Sequence, residues 1–491
     1  MGVVFRVAGI AGLHLAIALL AGCGADRAPP ARPSGEPREP DQRSAPELQG
    51  VRSDALADAL ERAHQRHLDI HSLTIVRHGT VVLDAAFYPF PPNTRHDVAS
   101  VTKSVTSILV GIAIQMHKLS EDQPVTGRPE IRVRDLLSMQ SGLDCGVVEG
   151  EGELAAMTKQ ADWVGFARSL RQRVPPGTQF AYCSPGYHLL SAELSRVTGM
   201  SERAFAQAYL FGPLGITDVY WPSDPQGITH GWGDLQLRPR DMAKLGELFL
   251  QHGRWHGAQI VPDAWITRST QVHATIAGDE DYGYGWRISK PIAGMYLAYG
   301  RGGQRIVVWP SKDVVISVTA GNFDLADISD ALLDALRSDV ALPPNPAGQA
   351  RLAAALRAIS AVPPPAAPPS PASAMSGVTY RLEANALDAR TVRFTAIEPN
   401  LGRIELRVGD RLFAAAVGLD GVYRTSPDPM SGALTAARGH GLDAGAGIAI
   451  DWMLFAVAEH IELQLARIDD GVVVTLREPT HLGTLTLRGS R

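Results

Sequence analysis

A proline run, Pro363-Pro364-Pro365-Ala366-Ala367-Pro368-Pro369, divides the chain. Proline fixes φ and lacks a backbone N–H, so such a run continues neither a helix nor the interior of a sheet. The segments on either side must therefore fold around separate cores. At 491 residues the chain is in any case too long for one ordinary domain. The two sides also differ in pattern. Residues 51–345 mix strand and helix signals, whereas residues 376–491 read as short strands throughout.

In the first region, Leu73 to His78 and Val81 to Ala86 flank a His78-Gly79-Thr80 turn and predict a hairpin. Val101, Val105, Ile108, Ile112 and Met116 follow helical spacing. Arg134 to Met139, Ser191 to Val197 and Asp241 to Leu250 also read as helices, and Ile306 to Trp309 and Val314 to Val318 as strands. Strands at both ends with helices between predict an α/β fold: an antiparallel sheet closed by the first and last segments, flanked by helices, with an all-helical insertion. A short Ala-rich helix, Gln349 to Ile359, comes before the prolines, and 346–375 is read as helix and linker. Beyond it, runs such as Arg403 to Val408, Ile448 to Val457 and Val472 to Leu476, separated by Gly409-Asp410, Asp420-Gly421 and Asp470-Gly471, predict a small antiparallel β domain.

The first 50 residues do not read as fold. Arg6 is followed by a mostly apolar stretch from Val7 to Leu20, too short to span a bilayer as a mature helix. Leu20-Ala21-Gly22-Cys23 resembles the bacterial lipobox. That resemblance implies a signal peptide over 1–22 and lipid on the Cys23 sulfur. With Gly24 after the cysteine, it implies a periplasmic protein anchored in the outer membrane rather than the inner. Residues 23–50, rich in Pro, Arg, Ser and Glu, are expected to be a tether. Two cysteines remain, Cys145 and Cys183. In an oxidising compartment they form either a disulfide or two buried thiols. Net charge is −5, which argues against nucleic acid as a partner.

The chemistry centres on Ser100-Val101-Thr102-Lys103. No other Lys in the chain has a Ser three residues before it. Ser100 stands where an extended stretch gives way to a helix, so the dipole and free amides of the helix N-terminus lie beside its hydroxyl. Lys103, one turn on, can reach the Ser oxygen. A capping serine with a solvated lysine would show the same spacing, so the pair alone decides nothing. Tyr182-Cys183-Ser184 is the one Tyr-x-Ser or Tyr-x-Asn triplet and follows Pro175-Pro176-Gly177-Thr178. A tyrosine on such a loop can face the serine and take its proton. Ala298-Tyr299-Gly300-Arg301-Gly302-Gly303-Gln304 leads into the Ile306 strand, and its small residues let a substrate lie against the strand edge.

Taken in this order, the three elements resemble the serine β-lactamase and penicillin-binding-protein superfamily. So do Val133 to Leu143, Pro213-Leu214-Gly215, Leu237 to Ala243, Tyr282-Gly283-Tyr284-Gly285-Trp286 and Gly303-Gln304. The likeness covers about 51–345 and is closest to the class C-like branch, which includes esterases and 6-aminohexanoate-dimer hydrolases. It implies that Ser100 is acylated, that Lys103 shuttles protons, and that Tyr182 is base toward the serine and acid toward the leaving group. Ser184 stands where Asn is usual. Gly300 is the motif glycine, and the amide of Arg301 or, with the alignment shifted, of Gly303 is the second oxyanion donor.

The superfamily's β-lactam-processing members usually carry Lys-Thr-Gly where this chain has Ala298-Tyr299-Gly300. That departure favours a small ester or amide as substrate. β-Lactamase, D,D-carboxypeptidase and non-catalytic envelope-binding readings remain as alternatives. No cofactor or metal is implied, since the chain has no His-Glu-x-x-His and no Cys-x-x-Cys.

Overall fold

The computed structural model describes residues 43–146, 151–366, 375–429, 433–442, 447–455, 460–478 and 483–491. The expected signal peptide, Cys23 and the tether up to residue 42 lie outside the described residues. Two compact units divide at residue 359.

The first unit is built on an eight-stranded antiparallel sheet. Its strands are β1 (Asp69–Arg77), β2 (Thr80–Ala86), β3 (Ala274–Thr275), β4 (Glu280–Tyr282), β5 (Arg287–Ser289), β6 (Tyr296–Gly300), β7 (Gln304–Trp309) and β8 (Val314–Asn322). The spatial order is β2-β1-β8-β7-β6-β5-β4-β3. The first strand thus lies beside the last, in antiparallel register from Leu73↔Val318 to Arg77↔Val314. His78 and Gly79 both take positive φ, 49° and 67°, as a two-residue hairpin turn requires.

Alternation along β8 shows why the sheet is covered on both sides. Val314, Ile316, Val318 and Ala320 join one apolar cluster with α1 (Ser53–Gln65). Val315 and Ser317 face the other way. Val315 meets Gly246 of α4 (Pro239–Leu250), and the Ser317 hydroxyl donates to the Pro239 carbonyl at 3.0 Å. Each fully buried aliphatic side chain here contributes roughly 1.5–3 kcal/mol. Between β2 and β3 run the helices that carry the site: α2 (Val101–Gln115), α3 (Ser184–Thr198) and then α4. Every residue of α2 from Val101 to Ala113 is buried, so it is a central helix whose polar side chains must find protein partners.

The edges of this unit differ from the expected boundaries. Folded structure starts before residue 51: Pro46–Gln49 form a helical turn, and buried Glu47 accepts from Ser53 and from Gln349. The helix expected to begin the linker, α5 (Pro346–Ser360), packs Leu352, Ala355 and Ile359 into the α1 cluster. Its apolar residues recur at helical spacing, so burial holds it in the first unit's core.

The second unit is all β. Its strands are β9 (Thr379–Leu382), β10 (Ala389–Glu398), β11 (Leu401–Val408), β12 (Arg411–Gly418), β13 (Arg424–Pro427), β14 (Leu434–Gly441), β15 (Gly447–Leu454), β16 (His460–Ile468), β17 (Gly471–Glu478) and β18 (Gly483–Ser490). They run in the order β12-β11-β10-β9-β18-β17-β16-β15-β14-β13. A short parallel pairing, Val417↔Ala437 and Gly418↔Arg438, joins β12 to β14 and closes the sheet into a barrel. Closure covers the edge at this seam, and β13 remains as a short terminal strand. Inward residues such as Val392, Phe394, Ile404, Trp452, Leu463 and Val474 fill it.

Candidate active site

Ser100 comes directly before α2, and the turn leading to it is held at two points. Val98 N donates to Leu235 O at 2.9 Å, and the buried Asp97 carboxylate accepts from Ala99 N at 2.7 Å. Ala99 sits at φ 48°, a left-handed conformation that costs energy in a residue with a side chain. The Ser100 amide takes no acceptor among the described residues, as an amide available to an anion would not.

Lys103 is 1% exposed. Its Nζ donates to Ser100 Oγ at 2.9 Å and to the carbonyl of Trp232 at 2.7 Å. The helix bonds to neighbouring backbone at two more points, on different sides. Ser104 Oγ donates to Gly285 O at 2.5 Å, and Thr106 Oγ1 to Gly231 O at 2.7 Å. Segments 231–232 and 285 are thereby locked to α2, which fixes where the ammonium can go.

Tyr182 is brought to this pair. The Lys103 Nζ lies 4.8 Å from the centroid of its ring, and the ring is partly exposed. The loop carrying it is pinned on either side of the tyrosine by Met139, itself at φ 58°. Ala181 N donates to Met139 O at 2.8 Å, and Cys183 N approaches Met139 Sδ at 3.2 Å. Cys145 and Cys183 form a disulfide, a further tie between the same two segments. Two other tyrosines flank the site, Tyr187 and Tyr282. Burial raises both their pKa values far above the ordinary phenol range, so both stay protonated.

The glycine-bearing strand also arrives. A Cβ on Gly300 would stand 2.5 Å from Val98 O and 3.1 Å from the Ala99 Cβ. Only glycine lets β6 come this close to the turn before Ser100. Arg301 to Gly303 form a tight helical turn after it, with Gly303 at φ 101° against Phe323 O. Gln304 is turned inward: its amide exchanges hydrogen bonds with the backbone of Ala320 on β8 and anchors the turn. Ser184, the residue in the usual Asn place, is 1% exposed at the start of α3. Its hydroxyl has no hydrogen-bond partner among the described residues.

Ser100, Lys103, Tyr182 and Gly300 thus converge from three distant stretches of sequence. Trp232 is a residue whose part the sequence did not disclose. Its ring stacks on buried His230 at 5.5 Å, while its carbonyl takes the lysine proton donor. A backbone acceptor leaves no residue-type signal beyond the glycines that flank it, Gly231 and Gly233. Burial lowers the His230 pKa to about 3, so that imidazole is neutral and bonds to Asp234 at 2.7 Å. Trp286, another tryptophan of this unit, is fully buried against Phe249.

This arrangement places a serine hydroxyl, an amine and a phenol around one point, beside a helix N-terminus. Comparison with known proteins identifies the family. The profile of the Beta-lactamase family matches residues 57–327, more than half of the chain. The 6-aminohexanoate-dimer hydrolase of Paenarthrobacter ureafaciens is 27% identical over 241 residues, which is 44% of this chain and 61% of that protein. A D-aminopeptidase of Cereibacter sphaeroides is 26% identical over 167 residues, 30% of this chain and 32% of that protein. The chain therefore spans about three fifths of the first relative's length and a third of the second's. Among solved structures, one assigned as a 6-aminohexanoate-dimer hydrolase from Bacillus anthracis aligns with a TM-score of 0.50 at 18% identity. It covers 57% of this chain and 82% of that one. EstCE1, described as a hydrolase with promiscuous acyltransferase activity, aligns with a TM-score of 0.50 at 17% identity over 58% of this chain and 99% of its own. At such identities the likeness is one of fold.

Proposed function

Because the chain belongs to the beta-lactamase family, we propose that it is a serine hydrolase cleaving a small ester or amide through an acyl-enzyme on Ser100. The observation that carries this reading is the buried Lys103 ammonium, shared between Ser100 Oγ and the Trp232 carbonyl.

In the proposed cycle, the Ser100 oxygen attacks the substrate carbonyl carbon. Its proton passes to the Tyr182 oxygen, which takes it as a phenolate paired with the Lys103 ammonium, and that ammonium then faces the negative charge gained by the serine. The carbonyl oxygen becomes an oxyanion, held by the Ser100 amide and by a second amide from the 301–303 turn. The intermediate collapses, the bond to the leaving group breaks, and Tyr182 returns the proton to the departing oxygen or nitrogen. Water then repeats the sequence against the acyl-enzyme and releases the acid. The names of the relatives, an amide-dimer hydrolase and an aminopeptidase, support amide as well as ester substrates.

Ala298 and Tyr299 stand where a Lys-Thr pair would grip a β-lactam carboxylate, and this ranks penicillin turnover below ester and amide cleavage. A substrate panel of p-nitrophenyl esters, an aminohexanoate-dimer amide and nitrocefin tests the ranking. Fast nitrocefin hydrolysis with inert esters would reverse it. A chain that ignores all three and resists a fluorophosphonate probe would instead be a binding protein. We propose further that Cys23 carries lipid and holds the enzyme on the periplasmic side of a membrane. Metabolic labelling with a fatty acid, lost in Cys23→Ser, tests this.

A further inference from the structure

Leu73 and Ile75 of β1 belong to the α1 cluster, so Val76 faces the other side of the sheet, where α4 packs. Between β1, β2 and α4 a cavity of about 70 Å³ remains, with Val76 and Val81 on its sheet side. On its helix side are Arg240, Lys244 and Glu247 of α4, and Arg238 just before it. Such a space takes about five atoms the size of a water oxygen. Strands β8 and β7 stand between β1 and β6, so this cavity is not the space in front of Ser100.

Glu247 is 4% exposed and lines this cavity, and its carboxyl takes no hydrogen bond from any described residue. Burial pushes its pKa up to about 7; Lys244 opposes that rise, and the carboxylate of exposed Asp313 adds to it. Lys244 is buried as well. Its Nζ donates to Asp241 at 3.0 Å and to the Gly215 carbonyl at 3.5 Å, which leaves one of three N–H donors. Around the cavity four cations share two carboxylates. Arg238 and Lys244 pair with Asp241, and Arg43 and Arg240 with Asp84. With Glu247 protonated, the lining is net positive and offers an N–H and an O–H side by side. Val76 and Val81 offer only apolar surface.

We propose that this cavity is a second binding site, which takes a short-chain carboxylate with its head between Lys244 and Glu247 and its alkyl tail on Val76 and Val81. The excess of cations calls for an anion, and the volume limits it to a few atoms. The valines favour a ligand with an apolar end over a phosphate, whose oxygens would face them without donors. An ammonium and a carboxylic acid both donate to a carboxylate, in the short charge-assisted bonds that are the stronger kind. The ligand therefore binds together with the Glu247 proton. The site stands apart from the hydrolase reading and does not depend on it.

The test is an NMR titration of the valine methyl groups of the whole chain with propionate. At pH 6 the Val76 and Val81 signals should shift saturably, with a Kd on the order of 1 mM for so small a ligand. Ser100→Ala should behave as the wild type does. Neutral propionamide should bind about tenfold or more weakly. Raising the pH to 8.5 removes the Glu247 proton and should weaken propionate about tenfold or more. Glu247→Gln keeps a donor and carries no charge, so it should bind propionate equally at both pH values. Lys244→Met should lose binding, and Glu247→Gln carries the test if that variant does not fold. No saturable shift at the two valines, equal affinity for propionamide, or a pH dependence unchanged in Glu247→Gln would overturn the proposal. So would shifts produced by inorganic phosphate and not by propionate.

Discussion

The Lys103 side chain has an unusual set of neighbours for an ammonium: a hydroxyl, one carbonyl, two aromatic rings and almost no solvent. Such a group is positioned by its surroundings rather than by its own rotamers. Removing it should therefore affect the chemical step more than substrate binding. Lys103→Ala and Tyr182→Phe are each expected to lower kcat by about 100-fold or more, the usual contribution of a proton-transfer group, with smaller changes in KM. Steady-state kinetics on a p-nitrophenyl ester measure this. A tenfold rise in KM at constant kcat would assign these residues to binding instead. Gly300 gives a second prediction at this scale. A valine there meets Val98 O and Ala99, so the strand must retreat from Ser100. Gly300→Val should lower activity by at least about tenfold even where the protein still folds, because a misplacement of about 1 Å at a catalytic centre costs that much or more.

At the scale of elements, the site is a set of segments tied to α2. Glu202, at the start of the short helix Glu202–Ala206, lies fully buried against the same region, close to Gly231, Ser191 and Thr106. Burial pushes its carboxyl up to about 7 from 4.5. The folded state therefore holds this proton more tightly than the unfolded chain does. Its contribution to stability falls as pH rises from about 4.5 to about 7 and is then constant, a loss on the order of 3 kcal/mol. Glu202→Gln should raise the melting temperature at pH 8 and change it little at pH 5; equal shifts at both values would contradict the assignment. The disulfide makes a separate prediction. Cys145 and Cys183 are 38 residues apart, and closing such a loop stabilises by about 4 kcal/mol in the chain-entropy picture. Cys145→Ala with Cys183→Ala should lower stability by an amount of that order, measured by denaturant titration. It should also reduce activity, because Cys183 adjoins Tyr182.

Elements were legible in the sequence where periodicity or residue type carries the information. The β1–β2 hairpin, helix α2 and the pairing of first with last strand followed from spacing and order. Ser100, Lys103, Tyr182 and Gly300 were singled out because each has a distinctive residue type in a distinctive order, and the fold brings them together. The Trp232 carbonyl was not, since any residue can offer one, and only the fold brings residue 232 to residue 103. The helix α5 was located correctly, but its membership in the first unit depends on which core its apolar face meets.

For the molecule as a whole, the proline run separates two units with different architectures and separate cores. The residues proposed to be catalytic all fall in the first. The barrel is filled by apolar side chains, and Trp452 is among the largest of them. Trp452→Ala should destabilise the barrel by about 3–5 kcal/mol. Scanning calorimetry should show the barrel's transition falling in temperature while ester hydrolysis at low temperature persists. Loss of hydrolysis in a variant whose first unit remains folded would give the barrel a part in catalysis.

The account depends most on a covalent bond to the Ser100 oxygen. Mass spectrometry of the intact chain during turnover of a slow ester, followed by peptide mapping, reads that bond directly. The predicted result is a mass increase equal to the acyl group, located on the peptide containing Ser100 and absent in Ser100→Ala. Steady hydrolysis with no adduct on that peptide, persisting in Ser100→Ala, would contradict it.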